Sequence, residues 1–210
     1  NMTENAYYRN GELIYRIFNE LPQIPEDMLQ RALDFANEDQ YNYYEANIGR
    51  KSNPRTRDGM DLGNKRFPRS TVPNELEDWV REHISSNINE IGMAKAYADE
   101  HADAVGPHTD RSRDYTMIYL LSGGGPDHQT VFYDTIDEIE ITRKMNFDYS
   151  RIKEICRVQV PLKTWTLLYA QLPHSVENIP GERLAIQLGW QSEPQINNLQ
   201  KETNNDIYDL

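Results

Sequence analysis

A single cysteine, Cys156, stands in the 210 residues, so no internal disulfide can form. That fits a reducing compartment, and a cytoplasmic location is the expectation. Its neighbours Ile155 and Val158 mark a strand, so the thiol reads as core filling rather than a nucleophile. No apolar run approaches the length of a membrane span and no signal-peptide pattern opens the chain, so no membrane partner is expected. Internal repeats and low-complexity tracts are also missing. Positive charge is scarce: 22 Lys and Arg against 34 Asp and Glu leave a net charge of −12, which disfavours a long nucleic acid as partner. One stretch departs from this. Residues 50–69 hold seven basic and two acidic side chains, +5 against −17 for the rest of the chain. A segment of that kind is most often a solvated loop, with a lid over a site as the alternative.

The length suits one domain with a full core. Leu13–Phe18 reads as an early strand, ended by Pro22 and Pro25. Met28, Leu29, Ala32, Leu33 and Ala36 recur at helical spacing, which predicts a helix over Glu26–Asn37. Tyr41–Tyr44 reads as a short strand or an aromatic corner. A second helix is expected from Asn74, capped by that side chain with Glu77 three residues on, and Leu76, Trp79, Val80 and Ile84 share one of its faces. From Ala94 the period changes to strands. Met117–Leu121 is apolar on both faces, as a covered strand requires, and Gly123–Gly125 with Pro126 reads as a turn. No Lys-Ser/Thr or helix follows those glycines, which argues against a phosphate loop. Ile136–Tyr149 is polar and irregular, an insertion between strands. Cys156–Pro161 and Thr164–Tyr169 read as a strand pair joined at Leu162-Lys163, and the polar residues after Trp190 as a surface strap or a partly disordered tail. Many short strands with helices gathered early predict a mainly β, α+β fold with a double-stranded β-helix, a jelly-roll or cupin-like core. The division expected is a helical and loop part over about 1–93, a barrel core over about 94–190 and a tail over 191–210.

Histidine is scarce too, at five, and its placement carries the chemistry. In an extended strand residues i and i+2 point to one face, so His108 and Asp110 in Pro107-His-Thr-Asp110 can converge on one ion. His174 follows 64 positions after Asp110. Two imidazoles and a carboxylate on one side of a metal, with other positions open, is the donor set of non-heme Fe(II) oxygenases. The pattern alone decides little, because His101-Ala-Asp103 is a second copy inside a charged stretch. His128, in Gly-Pro-Asp-His-Gln, reads as an exposed turn residue. After Asp110 the chain runs through a polar turn into a strand, which favours His108 over His101.

In order and spacing the stretch from about 94 to 190 resembles the 2-oxoglutarate- and Fe(II)-dependent dioxygenases, most of all their prolyl-hydroxylase-like branch. The likeness rests on Tyr97, His108-Thr-Asp110, the strand and Gly-rich turn over Tyr115–Gly125, and Thr130-Val-Phe-Tyr133. It continues through Thr164–Tyr169 into His174-Ser-Val176, and ends in Gly181-Glu-Arg183 with Trp190. The resemblance implies His108, Asp110 and His174 as ligands of Fe(II), with 2-oxoglutarate as cosubstrate and O2 as oxidant. Succinate and CO2 leave as a C–H bond is hydroxylated. A carboxylate at position 110 argues against the halogenating members, where a small residue makes room for halide. The far carboxylate of the cosubstrate falls to Arg183, whose fork can make two parallel bonds, with Tyr97 and then Tyr119 as further contacts. A surface ion pair for Arg183 and core packing for the tyrosines are the plain alternatives. Many members carry Trp six residues after the Arg; here Gly189 takes that place and Trp190 comes one later. Three functions stay open: hydroxylation of a peptide, protein side chain or amino acid; oxidation of a nucleobase or small metabolite; and a non-catalytic jelly roll that binds metal or ligand. The prime substrate and oligomeric state are left open.

Overall fold

The computed structural model describes residues 5–43, 71–96 and 104–197, without the side chains of 37–43. The basic stretch 50–69, Tyr44, Tyr97, His101, Asp103 and the tail beyond Asn197 lie outside the described residues.

The chain opens with a hairpin of β1 (Ala6–Arg9) and β2 (Glu12–Phe18). Helix α1 (Glu26–Tyr43) and helix α2 (Asn74–His83) follow. Eight strands come next: β3 (Glu90–Ala96), β4 (Val105–His108), β5 (Tyr115–Gly123), β6 (Gln129–Thr135), β7 (Ile152–Val158), β8 (Trp165–Tyr169), β9 (His174–Glu177) and β10 (Arg183–Trp190). They form two antiparallel sheets, one of six strands ordered β1-β2-β8-β5-β10-β3 and one of four ordered β4-β9-β6-β7. This is the β-rich, jelly-roll or cupin-like α+β architecture that the strand pattern predicts.

Why β5 is apolar on both faces is now plain. Met117 and Tyr119 pack outward with Leu76, Val80 and Ile84 of the α2 region, whereas Ile118 and Leu120 pack between the sheets with Phe132 and Leu168. Each such side chain taken fully from water contributes roughly 1.5–3 kcal/mol, so the helices are held by the sheet rather than by their own propensity. Two buried indoles satisfy their only donor: Trp165 Nε1 donates to Pro22 O at 3.0 Å and Trp190 Nε1 to Asn87 Oδ1 at 3.0 Å.

Four details differ from the sequence reading. Helix α1 runs on to Tyr43, absorbing three of the four residues of Tyr41–Tyr44. Pro73, not Asn74, stands at the cap of α2, which has no side-chain cap bond; Asn74 is already helical. Strands β7 and β8 do not pair, because the chain changes sheet between them: β7 lies on β6, and β8 lies between β2 and β5. Lys163 makes the crossing turn at φ 49°, its N–H donating to Leu120 O at 2.8 Å. Asp110 lies two residues past the end of β4 rather than within the strand. The first part of the tail does act as a strap, with Ile196 fully buried and Asn197 N–H donating to Ile84 O at 2.8 Å.

Candidate metal centre

Backbone pairing brings His108 and His174 together as register partners of β4 and β9. Asp110 joins them from the turn after β4, where its N–H donates to Ala170 O at 3.1 Å. One ligand atom from each of His108, Asp110 and His174 lies within 4.8 Å of the others. The notable feature is the direction of each donor. His108 Nδ1 lies 2.8 Å from Gly106 O and His174 Nδ1 lies 2.8 Å from Leu172 O. A carbonyl accepts only from a protonated nitrogen, so both Nδ1 carry hydrogen and both Nε2 are free to turn lone pairs inward. Those Nε2 atoms lie 3.6 Å and 3.3 Å from the same oxygen, Asp110 Oδ1.

The other carboxylate oxygen, Oδ2, accepts from Arg113 Nε at 2.8 Å. Burial alone would raise the Asp110 pKa, but Arg113 and the two imidazoles outweigh it and hold the carboxyl well below its ordinary value. His174 moves the other way: burial pulls its pKa down, and contact with Asp110 more than restores it. Without an ion, then, the ionised carboxylate draws a proton toward the His174 ring. With a divalent cation, the same three atoms face it unprotonated. This donor set fits a metal of the kind that takes imidazole and carboxylate.

The irregular insertion has a use here. Thr109 N–H donates to Met145 O at 2.9 Å, Thr109 Oγ1 to Thr142 O at 2.7 Å, and Phe147 N–H to Pro107 O at 3.0 Å. The clamp fixes Thr109 outward, which leaves His108 and Asp110 facing inward.

The cluster opens into a cavity of about 1090 Å³ that also reaches Ile118, Thr130, Leu168, Arg183, Ala185 and Gln187. Arg183 is 6% exposed at the start of β10. Its Nη1 donates to Gly123 O at 3.1 Å and lies 3.3 Å from His128 Nδ1, while its buried Nη2 has no hydrogen-bond partner among the described residues. Burial pulls its pKa down to about 10. Thr130 Oγ1, Thr166 Oγ1 and Gln187 Oε1 are likewise buried without partners among the described residues. Thr166 is the register partner of cavity-lining Ile118, so it shares that inner face.

Two readings of individual residues are corrected. Tyr119 does not line the cavity: it is fully buried in the outer cluster, its ring centroid 4.7 Å from Trp165, and its hydroxyl accepts from Ile24 N–H at 3.3 Å. On a strand buried on both sides, only the partner sheet decides which face looks inward, and Ile118 takes it. His128 is 5% exposed rather than exposed, packed beside Arg183, where burial first and the guanidinium second lower its pKa. Neither Arg113 nor Thr166 stood out in the sequence, whereas Gln187 shares the strand face of Arg183 by its even spacing; for Arg113 the Asp110-x-x-Arg113 spacing across a turn was the available signal. Cys156 lies half-buried in β7 with its thiol pushed up to about 12, chiefly by desolvation, in keeping with core filling.

Fold and cluster together define a class: a β-rich, cupin-like jelly roll carrying a His/Asp/His group able to hold a metal ion. No family model and no curated protein matches the chain. Among solved structures it is similar to E. coli ycfD, at 13% identity and a TM-score of 0.38 over 56% of this chain and 29% of that one. It is also similar to AviO1 from Streptomyces viridochromogenes Tue57, at 12% identity and a TM-score of 0.41 over 87% of this chain and 92% of that one. Among the described residues, no helix is long and apolar enough to cross a membrane.

Proposed function

We propose that the protein is an Fe(II)- and 2-oxoglutarate-dependent dioxygenase that hydroxylates a C–H bond of a peptide, protein side chain or amino acid. One observation carries this reading. The inward-facing donors of His108, Asp110 and His174 share a cavity lined also by Arg183, a buried guanidinium whose Nη2 has no hydrogen-bond partner among the described residues. A buried guanidinium with an unused donor is costly unless an anion completes it, and a dicarboxylate between Arg183 and a metal does so.

Fe(II), when bound, couples O2 reduction to oxidative decarboxylation of 2-oxoglutarate, with succinate and CO2 as products and one oxygen atom passed to substrate. The chain's residues bind and orient. His108, Asp110 and His174 hold the metal on one side, which leaves other positions to exogenous ligands. Arg183 receives the far carboxylate of the cosubstrate, and Thr130 lines the same cavity. Ile118, Leu168 and Ala185 line the same cavity with apolar surface and limit water. The neutral imidazole of His128 accepts from Arg183 without cancelling its charge.

Anaerobic protein loaded with Fe(II) and 2-oxoglutarate, then exposed to O2, forms succinate above a metal-free control even without prime substrate. Mass spectrometry across peptide, amino-acid and nucleoside libraries then finds the product that has gained one oxygen atom. Absence of succinate with a metal-loaded protein overturns the reading.

A further inference from the structure

We propose that Arg113 is the positioning residue of the metal centre, fixing Asp110 so that it offers one oxygen, and that Glu90, admitted by Gly189, holds Arg113 in place. The inference rests on the reading of His108, Asp110 and His174 as metal ligands.

Arg113 is 7% exposed and sits one turn of chain beyond Asp110. Its Nε donates to Asp110 Oδ2 at 2.8 Å, which leaves Oδ1 as the oxygen nearest both imidazoles. A carboxylate bound only through a metal can rotate to offer both oxygens and occupy a further coordination position. With Oδ2 engaged by a rigid guanidinium, that rotation breaks a charge-assisted hydrogen bond in a buried setting. The turn is braced from behind, since Gln171 Nε2 donates to both Asp110 O at 3.1 Å and Arg113 O at 2.6 Å.

The far side of the guanidinium faces a second anion. Arg113 Nη1 lies 3.2 Å from Glu90 Oε1, an ion pair without hydrogen-bond alignment. Glu90 begins β3 directly opposite Gly189 in β10. A Cβ at position 189 would come within 2.5 Å of both Glu90 Cγ and Oε1, so only glycine leaves the carboxylate its place. The path from Gly189 through Glu90 and Arg113 to Asp110 therefore gives a physical reason for glycine at position 189. Lysine cannot replace Arg113 on this account, because an ammonium is a point charge and cannot present fixed donors in two directions.

Co(II) serves as the probe, titrated into the whole protein without O2 and read by calorimetry and by its visible absorption bands. The wild type binds one Co(II), and His174→Ala loses it; if the wild type binds none, the metal centre and the role of Arg113 fall together. Arg113→Met weakens binding about 10- to 100-fold and alters the band shape, with circular dichroism retained. Arg113→Lys keeps the charge but recovers neither affinity nor band shape. Wild-type affinity and bands in Arg113→Met, or full recovery in Arg113→Lys, overturn the proposal while leaving the metal centre standing. Should Arg113→Met fail to fold, Glu90→Gln and Gly189→Ala decide, since Glu90 has a 39% exposed side chain. Both shift the Co(II) bands and weaken binding several-fold, and wild-type spectra in both overturn it.

Discussion

His108 and His174 face each other across β4 and β9 with ring centroids 4.5 Å apart, although 65 residues separate them in the chain. Each ring has its outer nitrogen tied to a carbonyl two residues before it. Both inner nitrogens face the same oxygen, Asp110 Oδ1, at 3.6 Å and 3.3 Å. Replacing either with Ala is expected to weaken Fe(II) binding by more than about 100-fold, beyond the usual cost of losing an outer partner, and to abolish succinate formation. His128→Ala should retain one bound metal. Titration calorimetry checks both, and full metal binding by His174→Ala would disprove the assignment.

Arg183 should govern cosubstrate rather than metal. Hydrogen bonds to charged groups are worth about 1.5–3 kcal/mol, so Arg183→Ala should raise the 2-oxoglutarate Kd roughly 10- to 100-fold with Fe(II) affinity nearly unchanged. Arg183→Lys should recover part of this, since it restores charge without the fork. Arg143 and Arg157 are poor substitutes: Arg143 is paired with Asp114, and Arg157 with Glu154 and Glu177. Equal 2-oxoglutarate affinity in wild type and Arg183→Ala would count against this assignment.

Metal binding should depend on pH in one direction. In the metal-free protein the His174 pKa is raised by Asp110 against the pull of burial. A cation must displace that proton, so affinity should fall about tenfold per pH unit below the raised pKa and level off above it. The metal-free fold responds in the opposite sense. A raised pKa contributes stability fully present below the unfolded histidine value and lost as pH rises through the folded one. Calorimetry in buffers of different ionisation enthalpy should show proton release on binding at neutral pH and below. No proton release there would contradict a proton held by His174.

Tyr119→Phe separates packing from chemistry. The change removes an acceptor for Ile24 N–H, and a buried donor left alone costs about 1–3 kcal/mol, so the unfolding midpoint in denaturant should drop. Succinate formation and 2-oxoglutarate affinity should stay at wild-type values. A selective rise in the 2-oxoglutarate Kd would restore Tyr119 to the cavity.

What the sequence discloses follows the range of each signal. The cluster of His108 with Asp110 is a short-range matter, two positions apart in sequence, although a turn after β4 rather than the strand repeat brings Asp110 in. Alternating burial and early helices make the jelly roll legible. The hairpin loop Asn10-Gly11, whose residues both take positive φ (53° and 79°) where they join β1 to β2, went unread, and strand β1 with it. Face and sheet membership were not legible. Tyr119 sits on a strand whose two faces are equally apolar, and β7 and β8 are neighbours in sequence that the fold sends to different sheets. The ion pair of Arg113 with Glu90 joins β3 to the turn after β4, which no local pattern states, whereas its pair with Asp110 spans three residues of one turn. Tyr97 and residues 50–69 lie outside the described residues, so contact with the cosubstrate and closure over the site stay expectations for these two.

The placement of β9 has a consequence for the order of events in folding. His174 reaches β4 only after the chain has left the four-stranded sheet at Val158, added β8 to the other sheet and returned through Ala170–Pro173. Contacts of such sequence separation are slow to form, because the loop entropy comes due before the pairing rewards it. A zinc finger gathers its ligands around the ion and folds with it; here the three side chains are expected to meet only once both sheets stand. A metal at this cluster should therefore bind late, and its supply during refolding should alter the fraction of loaded protein while leaving the folding rate alone.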